Sequence, residues 1–179
     1  MAEQPQTLTV PQALDLAAQH HKAGSFTNAE DIYQQILKTE PDQATAIHML
    51  GVLAYQTGKN ELAVELITGV LEREPNLAEA HNNLGLALQA LGKSQDAMAH
   101  YRKALALRPD YADAYCNVGN IFRDANQLED AVANYRRALA IEPNLADAVN
   151  NPKTHWNLSL AFLLQGNWKD GWKKFDWRL

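Results

Sequence analysis

Six histidines, one cysteine and a spaced set of asparagines are the residues of this 179-residue chain whose chemistry can build a site. His20, His21, His48, His81, His100 and His155 would serve metal binding or proton transfer. No two of them stand four residues apart, the spacing that turns two imidazoles toward one zinc ion from a single helix face. Cys116 lacks the histidine pattern of an activated thiolate, and the chain has no G-x-S-x-G elbow, Walker glycine loop or dinucleotide fingerprint. Carboxylates such as Glu129 and Asp130 read as solvated surface. The reading is therefore non-catalytic, with no metal and no cofactor in this segment. The asparagines offer something else. Asn83, Asn117 and Asn157 each present one acceptor and two donors, the set that pairs with the C=O and N–H of a peptide bond without reading its side chain. The competing reading is internal, since an asparagine can also cap a helix or bridge two of them. Which applies depends on the elements that carry them.

Those elements repeat. Pro41, Pro75, Pro109 and Pro143 follow one another at intervals of 34 residues. In the same phase stand Gly51, Gly85 and Gly119; then Gly24, Gly58 and Gly92, with Asn126 in the fourth place; then Ala29, Ala63, Ala97 and Ala131; then Tyr33, Ile67, Tyr101 and Tyr135. Each period holds two runs with apolar residues three to four apart, such as "AHNNLGLALQAL" and "SQDAMAHYRKALAL". Each period is thus predicted to be a helical hairpin. Gly24, Gly58, Gly92 and Asn126 suit the left-handed position just past a helix, and the prolines end the second helix. A glycine inside a helix costs about 1 kcal/mol against alanine, so Gly51, Gly85 and Gly119 need a packing reason. Close approach of the paired helix at Ala63, Ala97 and Ala131 is the reason expected from the pattern.

These columns resemble the tetratricopeptide (TPR) repeat, which places a large residue, Leu-Gly, an aromatic, Ala, another aromatic, Ala and Pro in this order. The resemblance covers repeats 10–43, 44–77, 78–111 and 112–145, with 1–9 as an N-terminal tail and 10–179 as one TPR domain. It is weakest in the first repeat, where Ala17 replaces the glycine and His20 the inner aromatic. It implies an all-α solenoid of antiparallel helix pairs in a right-handed superhelix, with the first helix of each pair lining the concave face.

In that frame the sixth place of each repeat holds Asp15, Met49, Asn83 and Asn117, and Asn157 when the last register is counted back from Gly166. This row is similar to the asparagine ladder of the TPR region of O-GlcNAc transferases, which implies groove-facing carboxamides that hold extended backbone. Tyr55, Gln89 and Arg123 form a second groove column, and Glu79 and Asp113 a third. Their mixed signs suit an extended peptide with alternating polar groups. The TPR clamp for chaperone C-termini is disfavoured, because Asn82 and Cys116 stand where its first lysine would fall.

The fifth repeat is out of step. The turn glycine due at 160 comes at Gly166, so six residues are inserted. Proline inside a helix costs about 3 kcal/mol, whereas Asn151 and Pro152 fit the cap and first position of a new one. The reading is an insert at 146–151, with 146–150 a loop or short turn, and a truncated repeat at 152–179 whose helix starts at 151–153. All four tryptophans, Trp156, Trp168, Trp172 and Trp177, fall in this stretch, where a terminal repeat facing water should be polar. Its close, "GWKKFDWRL", resembles the end of TPR regions in bacterial proteins that continue into a glycosyltransferase-like domain.

Composition narrows the partners. With 16 basic against 21 acidic residues the chain lacks the basic footprint of nucleic-acid binding. No apolar run is long enough to span a membrane, no export signal opens the chain, and a single cysteine fits a reducing, cytoplasmic compartment. The expected function is a protein-interaction scaffold that binds extended peptide in a concave groove. The alternatives are the non-catalytic targeting region of a larger glycosyltransferase and a module that self-associates through its tryptophan-rich end.

Overall fold

In the computed structural model, which describes residues 8–142 and 152–175, each run of three-to-four apolar spacing forms a helix. They are α1 (Val10–Lys22), α2 (Phe26–Thr39), α3 (Ala44–Gln56), α4 (Asn60–Arg73), α5 (Ala78–Ala90), α6 (Ser94–Leu107), α7 (Ala112–Asp124), α8 (Leu128–Ile141), α9 (Pro152–Leu164) and α10 (Trp168–Phe175). No strand occurs among the described residues. The helices pair as α1–α2, α3–α4, α5–α6, α7–α8 and α9–α10, the all-α architecture of a TPR solenoid. They fall into two compact units that divide after Pro75. In the unit of α1–α4 the core is built on Ala17, Ala29, Tyr33, Ile36, Ala46 and Leu53. In the unit of α5–α10 each helix also packs on the next, and the first helices touch one another, α5 on α7 and α7 on α9. One cluster of its core joins Ala131, Val132 and Tyr135 of α8 to Leu158, Ala161 and Phe162 of α9.

The turn inside each pair is a left-handed helix stop. Gly24, Gly58, Gly92 and Gly166 have φ between 73° and 79°, and Asn126 takes the same conformation at 58°. The following amide closes the motif back across the turn, as Lys93 N–H does on Leu88 C=O at 2.9 Å and Gln127 N–H on Phe122 C=O at 2.8 Å. The second helices stop at Thr39, Arg73 and Leu107, two residues ahead of Pro41, Pro75 and Pro109. Proline disfavours the helical region for the residue before it, which sets this end.

The glycines inside α3, α5 and α7 do have a packing reason, but the alanine column does not provide it. A Cβ placed on Gly51 would lie 2.6 Å from Ile67 Cγ1, and one on Gly119 would lie 2.6 Å from Tyr135 Cε1. On Gly85 it would enter the ring of Tyr101, 2.7 Å from Cδ1. Each glycine is a seat for the large residue four places beyond the alanine. Tyr33, Tyr101 and Tyr135 are at most 1% exposed.

Helix α9 is described from Pro152 to Leu164, and the expected cap Asn151 lies outside the described residues. The insert at 146–151, the first seven residues of the tail, Pro143 and Trp177 lie outside the described residues, as does the side chain of His155. On α9 and α10 the side chains of Trp156, Leu164, Trp168 and Trp172 stay exposed.

Among the histidines, His81 is 5% exposed and packs inside the third pair. Its Nδ1 lies 3.0 Å from Nδ1 of His100, on α6, so one ring donates and the other accepts. Burial pushes His100 below the ordinary imidazole value, with His81 and Lys103 adding to the shift and Asp96 opposing it. Spacing along the chain gave no sign of this pair, because its members belong to different helices.

The glycine seats make a paired prediction. Gly85→Ala drives a methyl into a buried ring and should destabilise the fold by about 1–3 kcal/mol, outweighing alanine's better helix propensity. Gly69→Ala, in α4, meets nothing within 4 Å. It should stabilise by about 1 kcal/mol. Chemical denaturation midpoints that moved the same way for both variants would contradict the seat.

Candidate functional site

The first helices α5, α7 and α9 bring the asparagine column onto neighbouring elements of one unit. Asn83 and Asn117 are half-buried, and Asn157 is 7% exposed. Asn117 Nδ2 donates to Oδ1 of Asn82 across the α5–α7 junction at 3.0 Å. Asn82, itself 3% exposed, also bonds the hydroxyl of Tyr111 at the entry to α7. One N–H and the oxygen of Asn117 have no partner among the described residues, so the fixed carboxamide keeps a donor and an acceptor.

Asn157 is engaged at both ends. Its Nδ2 donates to Asn120 Oδ1 at 2.7 Å, and its Oδ1 accepts from Arg123 at 2.8 Å. Asn120 Oδ1 also takes the hydroxyl of Tyr135 at 2.9 Å, which ties the network to the ring seated on Gly119. Burial is the main cause that pushes the Tyr135 phenol upward, so it stays a neutral donor. Arg123 also donates from Nε and Nη2 to Asp124 Oδ1 at 3.0 and 2.8 Å. One repeat earlier the equivalent hydroxyl of Tyr101 donates to Gln89 Oε1 at 3.0 Å.

The charged column is split. Glu79 pairs with Arg108, whose guanidinium lies 4.7 Å from the centre of the Tyr111 ring. Asp113 is exposed. Burial, with the charges of Asp113 and Glu79, pushes the Tyr111 phenol up to about 12. Tyr55 is half-buried on α3 and belongs to the other unit. Asn157 and Arg123 thus meet, Asn117 meets Asn82, and Glu79 and Asp113 are held apart in role. Asn82 and Asn120, which anchor both networks, were not singled out by the column count. Their signal was faint: each lies one or three residues from a column asparagine, on a flank that turns toward the next helix.

The arrangement is one of amide donors and acceptors, with no paired acid and base. Among the described residues no group of three or more His, Cys, Asp or Glu side chains is placed to hold a metal ion. No described helix is long and apolar enough to cross a membrane.

Comparison with known proteins agrees with the architecture. Two models of the tetratricopeptide repeat match residues 20–87 and 76–144, together more than half of the chain. A search of curated proteins finds no match. Among solved structures, a thermophilic TPR protein of Thermus thermophilus is 20% identical over 92% of this chain and 87% of that one, with a TM-score of 0.79. A MamA protein is 24% identical over 92% and 87%, with a TM-score of 0.69. MamA from Desulfovibrio magneticus is 20% identical over 91% and 89%, with a TM-score of 0.72. At these identities the likeness is one of fold. The matched repeats and the ten helices among the described residues lead to one conclusion: the chain belongs to the tetratricopeptide-repeat family.

Proposed function

We propose that this protein is a non-catalytic cytoplasmic scaffold that holds an extended peptide segment of a protein partner along α5 and α7. The observation that carries the reading is the Asn117 carboxamide, held from behind by Asn82 and left with one donor and one acceptor. A group fixed in this way pairs with a peptide bond without first losing rotamer freedom. Asn83 and Gln89 add amides from α5, and Asp113 supplies a charge at the rim. Asn157 supports the site by holding Arg123 in place.

Replacing both Asn83 and Asn117 with alanine should weaken partner capture at least about tenfold, at roughly 1 kcal/mol for each hydrogen bond lost. It should lower stability by only about 1–2 kcal/mol, chiefly through Asn82 left without its donor. The check is quantitative pull-down with mass spectrometry alongside thermal unfolding. Full capture by the double variant would remove the asparagines from the binding face.

A second reading, self-association, is favoured by the exposure of Trp168 at 62% and Trp172 at 53% on α10. Contiguous exposed apolar surface of this kind marks contact sites. Sedimentation velocity should then show a concentration-dependent shift that Trp168→Ser with Trp172→Ser abolishes. One sedimentation coefficient at all concentrations for both chains would end this reading.

A further inference from the structure

Two of the helix pairs set a cation of the second helix near a ring of the first. In the fourth pair the guanidinium of Arg137 lies 5.6 Å from the centre of the Tyr115 ring, and its Nη1 donates to the Tyr115 hydroxyl at 3.4 Å. One register earlier the same places hold Lys103 and His81. Lys103 stands near enough to add, after burial and His81, to the lowering of His100. The second pair has Ile47 in the place of the ring and Gly69 in the place of the cation. A Cβ on Gly69 would meet nothing within 4 Å. Where the other pairs seat a basic side chain, this one leaves a cavity of about 550 Å³, with Ile47, Val64 and Leu66 on its apolar side.

The flanking charges change together with the missing cation. Residues three and four apart share one face of a helix, so positions 65 and 72 stand one turn to either side of Gly69. In α4 these are Glu65 and Glu72, both exposed and both lining the cavity. In α6 and α8, which carry their own cation, the equivalent places are Ala99 and Ala106, then Ala133 and Ala140. No ion pair among the described residues engages either glutamate. Arg73, which also borders the cavity, is paired with Asp42 at 2.7 Å.

We propose that this cavity takes an arginine side chain of a protein partner, its aliphatic stem against Ile47 and Leu66 and its guanidinium at Glu65 and Glu72. The partner then supplies what α6 and α8 carry themselves. The apolar side covers the stem, and the two carboxylates favour a cation over an uncharged group of the same shape. The surface belongs to α3 and α4, so its failure would leave the reading of the amides on α5 and α7 standing.

The test is NMR titration of the full chain with acetyl-Ala-Arg-Ala-amide, following the methyl signals of Ile47 and Leu66. The expected result is a saturable shift that is absent when citrulline, the uncharged isostere, replaces the arginine of the peptide. Glu65→Gln with Glu72→Gln should weaken binding about fivefold, through the loss of two exposed ion pairs. Gly69→Arg fills the cavity from within. It should abolish binding and raise the thermal transition, since arginine is the better helix former. Gly69→Ala stiffens the helix without filling the space and should bind as the native chain does, which separates occupancy from rigidity. Equal shifts with the citrulline peptide, no saturable response to the arginine peptide, or undiminished binding in Gly69→Arg would overturn the proposal. Movement of the same methyl signals on dilution of the chain alone would also overturn it, by giving the cavity to a second copy.

Discussion

The seating of a large side chain on a glycine of the partner helix is the contact on which the other features depend. Tyr101 on Gly85 and Tyr135 on Gly119 leave no room for even one methyl group, and Ile67 on Gly51 repeats the fit in an aliphatic form. A ring buried so closely fixes the separation and roll of its two helices, since packed interiors yield little to added volume. That fixed roll decides which residues of α5 and α7 turn away from the core. The left-handed turn residues and the prolines close the hairpins, but neither specifies how deep one helix sits in the other.

The same rings carry the effect of packing to the candidate binding face. A phenylalanine would fill the seat, whereas tyrosine adds a hydroxyl that passes the glycine and emerges among the amides of the first helix. Tyr101 thereby sets Gln89, and Tyr135 sets Asn120, which in turn holds Asn157 and, through it, Arg123. Core and face are thus joined by phenol donors, of which burial raises the Tyr135 hydroxyl above its ordinary value. The isoleucine of the second pair has no such hydroxyl, and the hydroxyl of Tyr33 in the first has no hydrogen-bond partner among the described residues. Repeats alike in backbone therefore differ in what their faces hold.

Much of this fold was legible because its causes are local. The helix periods, the turn column and the proline stops each act within a few residues, so even the asparagine at 126 could be placed in its left-handed conformation. The role of the inner glycines was legible only by half: a close approach was needed, but which residue approaches depends on the roll between helices, and the tyrosine fills the space assigned to the alanine. The His81–His100 pair and the Asn82–Asn117 bond join residues 19 and 35 positions apart, and no periodic rule records such contacts. Column membership put the asparagines on the first helices α5, α7 and α9 of successive pairs. It did not tell which of their amide groups neighbouring repeats already use.

The claim at the centre of this account is that the buried tyrosine hydroxyls order the amide face. Side-chain amide spectra of Tyr135→Phe test it directly, because the change removes one oxygen and keeps the seated ring. The account predicts displaced carboxamide signals for Asn120 and Asn157, a displaced guanidinium signal for Arg123, and an unaltered signal for Asn83. Unmoved Asn120 and Asn157 signals in a variant that has lost the hydroxyl would contradict it.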